Sequence, residues 1–317
     1  MQDTHKSRDH GGGIDAAAAR YGGARADWLD LSTGINPVPY PIGHIPEHAW
    51  TSLPDQAALD RLLSAARSFW DVPAGAGIIA ANGASALIAQ MPRLAQRGRV
   101  SIPGPTYNEH AAAFRAAGWN VGDNDANARV AVHPNNPDGR LWTDAELTGA
   151  DLTIIDESFC DTCPEESHID RATEPGVVVL KSFGKFWGLA GLRLGFAIAR
   201  PETCASLSEA LGPWSVSGPA LQIGAVALED RAWAEMTRVR LARDATRLDA
   251  MLEAKGATLI GGTSLFRTYA VPDAAEWQDR LAQAQIWTRI FPYSGTWLRL
   301  GLPGGEDDWH RLWRALP

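Results

Sequence analysis

Apolar positions recur along the chain at two periods, and the switching between them outlines its elements. Over 55–70, Leu59, Leu62, Leu63, Ala66 and Phe69 fall at helical spacing, which predicts an amphipathic helix with one face to bury. From about 78 to 200, short β-rich runs at 77–81, 99–102, 129–132, 152–155, 177–180 and 192–199 alternate with segments of helical or loop character, 84–94 and 107–117 reading as helices. That alternation predicts an α/β domain with a mostly parallel central sheet flanked by helices. The alanine run at 16–19 predicts a short N-terminal helix, and a long helical region follows Pro219 to about Lys255, broken near Glu229-Asp230. Strand-like 263–271, helical 274–284, strand-like 287–291 and 297–300 and a last helix around 307–315 predict a small α+β C-terminal domain. The expected organisation is an N-terminal arm over 1–50 that reaches both the site and the small domain, a large domain over 51–215, and an interdomain helix with the small domain over 216–317.

Several predicted strands end in polar, glycine-bearing turns: Asn82-Gly83, Pro103-Gly104-Pro105, Asn135-Asn136-Pro137, Asp156-Glu157-Ser158 and Ser182-Phe183-Gly184-Lys185. Ligands bind beyond the carboxyl ends of strands in open α/β sheets, so these five turns are expected to converge on one pocket. Composition narrows the chemistry there. Of the 29 basic residues only Lys6, Lys181, Lys185 and Lys255 are lysines. Lys6 stands in a polar leading segment, and Lys255, just before Gly256, reads as a cation satisfying a helix C-terminus.

A formal charge of −8 with scattered cations argues against a nucleic-acid or anionic-membrane partner, each of which needs a clustered basic face. The polar first ten residues lack the apolar stretch of a secretory signal, and no run of eighteen apolar residues occurs, so the expected location is cytoplasmic. Cys160 and Cys163 form a C-x-x-C with no second pair to complete a zinc site; they read as incidental loop residues, and no metal is expected.

The longest motif is Ser182-Phe183-Gly184-Lys185-Phe186-Trp187-Gly188-Leu189-Ala190-Gly191-Leu192-Arg193-Leu194-Gly195. It closely resembles the S/T-x-S-K-x-x-G-x-x-G-x-R-x-G signature of fold-type I aminotransferases, particularly their histidinol-phosphate aminotransferase branch. The resemblance implies pyridoxal 5′-phosphate (PLP) as cofactor, Lys185 as the lysine that holds it, and Ser182 and Arg193 as ligands of its phosphate. A hydroxyl and a guanidinium beside the lysine suit a dianionic phosphate. A serine common before that lysine is Gly184 here, and Lys181 is expected to face solvent.

The resemblance extends to the other turns. It implies Asp156 as the partner of the pyridinium nitrogen, Asn136 as a ligand of the cofactor's 3′ oxygen and Tyr107 as the aromatic that stacks on its ring. Asn82-Gly83-Ala84-Ser85 fits a phosphate cradle, with backbone N–H groups of Ala84 and Ser85 opening a helix. Near the C-terminus, Arg299 in Trp297-Leu298-Arg299-Leu300-Gly301 resembles the arginine that clasps a substrate α-carboxylate, and Arg289 matches a position that contacts substrate phosphate.

Two departures separate the chain from ordinary aminotransferases: Phe159 stands where a tyrosine usually bonds the 3′ oxygen, and Leu53 where a tyrosine usually reaches the neighbouring subunit's cofactor. Together with His10-Gly11-Gly12, with Trp28-Leu29-Asp30-Leu31-Ser32-Thr33-Gly34-Ile35-Asn36-Pro37 and with Asp156-Glu157-Ser158-Phe159, they give a chain that resembles the L-threonine-O-3-phosphate decarboxylase family of cobalamin biosynthesis. This implies a phosphorylated amino acid as substrate, a homodimer, and a carbon–carbon lyase reaction. Gly34 and Asn36 are expected to contact the substrate opposite its phosphate clamp. The alternatives are a histidinol-phosphate aminotransferase or related transaminase, and a non-catalytic binding protein on the same fold.

Overall fold

The structure is a computed structural model that describes residues 10–317; Lys6 and the rest of the leading segment lie outside the described residues. In chain order, α1 (Ile14–Tyr21) and β1 (Leu29–Asp30) precede α2 (His48–Thr51) and α3 (Gln56–Phe69). The large unit then runs through β2 (Gly77–Ala81), α4 (Ala84–Gln90), β3 (Arg99–Ser101), α5 (Asn108–Ala116), β4 (Asn120–Val121), β5 (Ala128–Val132), β6 (Leu152–Asp156), β7 (Val177–Ser182) and β8 (Gly195–Ala199). Three helices follow: α6 (Pro201–Leu211), α7 (Gly218–Glu229) and α8 (Arg231–Glu253). The last part holds β9 (Thr258–Thr263), β10 (Phe266–Ala270), α9 (Ala274–Gln283), β11 (Ile286–Trp287), β12 (Arg289–Phe291), β13 (Ser294–Gly301) and α10 (Glu306–Ala315).

The central sheet has the order β2-β8-β7-β6-β5-β3-β4, parallel from β7 to β4 and antiparallel on both sides of β8. Both faces are covered, so alternate residues of one strand enter two different cores. Val177 and Val179 of β7 pack on one side, Val178 and Leu180 on the other; Phe196 and Ile198 of β8 part from Ala197 and Ala199 in the same way. The C-terminal part is a separate antiparallel sheet, β12-β13-β10-β9, while β1 pairs in parallel with β11 and ties the N-terminal segment to it.

Local chemistry sets the element ends. Asp55 caps α3 by accepting from Ala58 N at 2.8 Å, and Asp230, which separates α7 from α8, caps the latter through Trp233 N at 3.0 Å. The run expected at 84–94 is split, because Pro92 cannot continue α4 and the chain tightens into a 3-10 turn over Met91–Arg93. The strand expected to begin at Leu192 begins at Gly195, since Arg193 adopts a left-handed φ of 54°. The strand expected over 263–271 is one arm of a hairpin, β9 and β10, reversing at Ser264-Leu265. Among the described residues no helix is long and apolar enough to cross a membrane.

Two expectations about lysines are corrected. Lys181 is buried, with its Nζ 2.5 Å from Glu157 Oε2 and 5.7 Å from the centre of the Trp70 ring. It continues the odd-numbered row of β7 into a face covered by α3, so strand alternation does not deliver it to solvent. The Lys255 Nζ approaches Leu316 O at 3.5 Å and lies over Trp313, tying down the C-terminal residues instead of the end of α8.

Burying Glu157 and Lys181 together is tolerable because each neutralises the other, and Glu157 also accepts from Ser167 Oγ and His168 N, each at 2.6 Å. Removing one partner strands the other charge. Lys181→Met is therefore expected to lower the unfolding free energy by about 3–5 kcal/mol. The double variant Lys181→Met/Glu157→Gln should recover part of that loss. Urea titration followed by circular dichroism checks both, and equal midpoints for wild type and single variant would refute the pairing.

Candidate active site

Two connected chambers open at the carboxyl ends of the central strands. The inner one, about 170 Å³, is lined by Ala84, Ser85, Tyr107, Asn136, Asp156, Ser182, Lys185 and Arg193 among others. The outer one, about 420 Å³, includes His10, Gly34, Arg289, Tyr293 and Arg299. Tyr107, Asn136, Phe159 and Lys185 line both, so the lysine stands at the junction. The five turns therefore converge: three bring their own residues to the chambers, while Asn82-Gly83 and Pro103-Gly104-Pro105 deliver the residues that follow them, Ala84, Ser85, Thr106 and Tyr107.

Register explains the inner chamber. Ala81, Gly195 and Ser182 lie side by side across β2, β8 and β7, which aligns the Asn82-Gly83-Ala84 turn, Arg193 and Ser182 at one side. Gly83 has φ +80°, and a Cβ there would lie 2.7 Å from Arg193 Nη2; a Cβ on Gly195 would lie 2.4 Å from Ala84 N. Glycine at both positions lets the Arg193 guanidinium and the start of α4 close on one spot. The helix has only seven residues, so what it offers there is local N–H groups and the exposed Ser85 hydroxyl.

On the next strands, Asp156 ends β6 beside Val132 of β5, which leads into Asn136. Asp156 is buried, which alone would raise its pKa, but it accepts from His110 Nε2 at 2.7 Å and from Ser158 N and Oγ at 3.0 and 2.5 Å. Those bonds hold the carboxyl below its ordinary value, so it stays ionised at neutral pH. A carboxylate accepts about four hydrogen bonds, so one direction is left for a ligand donor. An ionised carboxylate with one acceptor direction left and the guanidinium-and-serine cradle on the other side fit the pyridine nitrogen and the phosphate of PLP.

Lys185 supplies the amine. Burial lowers its pKa from 10.5 to about 8, with Arg299 and Arg193 pushing the same way and Asp156 opposing. Its Nζ lies 5.6 Å from the centre of the Phe159 ring. Phe159 meets Phe266 edge to face at 4.9 Å, and the Arg299 guanidinium stands 5.1 Å from Phe266, so an aromatic wall runs from the lysine to the arginine. Gly34 packs against that wall, where a Cβ would come within 2.8 Å of Phe266 and 3.0 Å of Phe159.

Arg299 is buried on β13. One terminal nitrogen donates to Asn136 Oδ1 and the other to Ser32 O at 2.6 Å, while its Nε has no partner among the described residues. Arg289, whose guanidinium donates to His10 O, is the register partner of Arg299 across β12 and β13. Burial and the nearby Arg289 depress the Arg299 pKa to about 10. Like charges directly opposite on a strand pair repel, and an anionic ligand between them would relieve that repulsion.

Asn36, expected to contact substrate, lines neither chamber. It is buried, and its side chain holds the chain around Lys185: Nδ2 donates to Phe186 O at 2.8 Å, and Oδ1 accepts from Val38 N and Arg240. A proline-flanked asparagine at a cavity rim gives no sign of which way its amide turns. His110 was not legible as a site residue, although its position three after Tyr107 puts both on one helical face. His10 and Ser158 stand in motifs that carry the resemblance, but nothing in those motifs marks either as a residue lining the site. The Cys160 and Cys163 thiols are free, and no cluster of metal-ligating side chains occurs among the described residues.

Comparison with known proteins agrees with this geometry. Residues 124–313 match the family described as aminotransferase class I and II. A threonine-phosphate decarboxylase of Sinorhizobium sp. is 45% identical and one of Pseudomonas aeruginosa 39%, each over 97% of both chains. The histidinol-phosphate aminotransferase of Sinorhizobium meliloti, solved in complex with pyridoxal-5′-phosphate, shares the fold with a TM-score of 0.84 over 100% of this chain and 96% of its own, at 18% identity. With near-complete coverage by such relatives, the chain belongs to the class I and II aminotransferase family, among its threonine-phosphate decarboxylases.

Proposed function

We propose that this protein is a PLP-dependent decarboxylase that converts O-phospho-L-threonine to (R)-1-amino-2-propanol O-2-phosphate and carbon dioxide, a step of cobalamin biosynthesis. The observation that carries the reading is the facing pair Arg289 and Arg299 beside Lys185, in a chamber whose lining includes no carboxylate among the described residues. Such a chamber suits a substrate with two anionic groups. Relatives named threonine-phosphate decarboxylase, 45% and 39% identical, support this substrate.

When bound, PLP supplies an electron sink for the pair released as a bond at the substrate's α-carbon breaks. The residues of this chain do the rest. Lys185 holds the cofactor and, released by the substrate amine, can carry a proton to the α-carbon. Asp156, kept ionised by His110 and Ser158, stabilises positive charge at the ring nitrogen. Arg299 binds the carboxylate, Arg289 binds the phosphate, and the Phe159–Phe266 wall keeps water from the ground between Lys185 and Arg299. Binding energy from the remote phosphate can then orient the scissile bond.

We also propose a homodimer. Trp50 on α2 and Leu53 just after it are 66% and 67% exposed, α2 packs on α7, and Trp214 before α7 is exposed as well. Large aromatic and aliphatic side chains left bare fit an interface with a second copy. Light scattering at assay concentration should give twice the chain mass, and a fully active monomer would refute the dimer.

Phosphothreonine should release carbon dioxide much faster than threonine. Arg289→Ala should lower kcat/KM for phosphothreonine by about 10- to 100-fold, the worth of a charge-assisted contact, with a smaller effect on threonine. Equal losses on both substrates would remove Arg289 from the phosphate site. Glutamate formation from 2-oxoglutarate with histidinol phosphate, without carbon dioxide from phosphothreonine, would instead assign a transaminase.

The depressed pKa of Lys185 gives a separate test. In cofactor-free protein the rate of PLP capture should rise with pH and level off above a midpoint near 8, because the neutral amine is the reactive form. Arg299→Gln removes a repelling cation, which makes protonation easier and should move the midpoint upward. Borohydride reduction and peptide mapping should place the label on Lys185; a label on Lys181 would overturn the assignment.

A further inference from the structure

Lys185 lies in the turn after β7 of the central sheet and Arg299 on β13 of the second sheet, and their separation decides where the carboxylate lies relative to the cofactor. No hydrogen bond joins them directly among the described residues. What connects them is the segment Ser32-Thr33-Gly34-Ile35-Asn36. At its first residue, Ser32 O accepts from Arg299 at 2.6 Å. At its last, Asn36 N donates to Lys185 O at 3.0 Å and Asn36 Nδ2 to Phe186 O at 2.8 Å. Between them Thr33 and Gly34 form part of the outer chamber wall.

The Asn36 end is fixed from a third direction. Arg240, half-buried on α8, donates to Asn36 Oδ1 at 2.6 Å, and the same oxygen accepts from Val38 N at 3.0 Å. A second main-chain bond, Tyr40 N to Trp187 O at 2.9 Å, extends the pairing. The fit is close enough that a Cβ on Gly188 would lie 2.9 Å from Asn36 O and 2.7 Å from Pro39 Cα. The Asn36 amide is thus locked between the lysine loop and a 23-residue helix that packs on β9 and β10 of the second sheet.

We propose that Asn36, held by Arg240, is a positioning residue that sets the spacing between Lys185 and Arg299. The inference rests on the roles given to those two residues above. Five residues hydrogen-bonded at both ends act as a strap of fixed length, so loosening its Asn36 end lets the lysine loop shift relative to the arginine. Displacements of about 1 Å at a reacting centre cost about 100-fold in rate.

Asn36→Ala changes no charge, so its effect on Lys185 is geometric. It should lower kcat for phosphothreonine about 10- to 100-fold with little change in KM. In cofactor-free protein it should raise the midpoint of PLP capture by about half a pH unit or more, as Lys185 moves away from Arg299. Arg240→Gln should act in the same direction, Arg240→Lys should restore much of the loss, and the double variant Asn36→Ala/Arg240→Gln should be no worse than Asn36→Ala. Arg314→Ala, at an exposed position of α10, should leave all readings unchanged. If Asn36→Ala does not fold, Arg240→Gln carries the test alone. A lower melting temperature with kcat and capture midpoint unmoved would overturn the proposal, leaving Asn36 a structural residue only. Cofactor capture that survives Lys185→Ala would instead overturn the lysine assignment, a failure distinct from that of the strap.

Discussion

Three cations share one cavity, and their mutual repulsion governs how the site is built. Lys185, Arg289 and Arg299 line the outer chamber together, and burial of Lys185 and Arg299 adds to the repulsion by disfavouring their charged forms. Lys185 responds with a pKa lowered to about 8, while Arg299, lowered only to about 10, stays charged at neutral pH because a guanidinium gives up its proton with great difficulty. The same electrostatics therefore produces a nucleophilic amine and an anion-binding surface side by side. An anionic substrate would relieve the strain, and its charge would favour protonation of Lys185 when a proton is needed at the α-carbon.

That arrangement requires rigid support, because cations free to move would turn away from each other. The support comes from strand ends. Ala81, Gly195 and Ser182 in register set one side of the inner chamber, Asp156 and the turn after Val132 the other, and the β12–β13 pairing fixes the arginines opposite one another. Consecutive acids at the end of β6 are used in opposite ways, since strand alternation sends them to opposite faces. Asp156 serves the site with His110 and Ser158, whereas Glu157 is spent on Lys181 in the core behind it. The buried ion pair thus keeps a second lysine out of both chambers while anchoring the turn that follows Asp156.

The sequence by itself determined the strand-end turns and the family, and pointed to one lysine among four, because each depends on residues adjacent in the chain: apolar period, turn chemistry, and the spacing between Ser182, Lys185 and Arg193. Element boundaries were legible at Asp55 and Asp230, and slipped at Pro92, which ends α4 early, and at Leu192, where only the path of the chain forces Arg193 into a left-handed conformation. Tertiary structure alone decided the burial of Lys181, the His110–Asp156 bond, the register that faces Arg289 with Arg299, and the turn of Asn36 toward Arg240 instead of the substrate. Each of these depends on which distant element covers a given face, and a side chain's polarity states what partner it needs without stating where in the chain that partner lies.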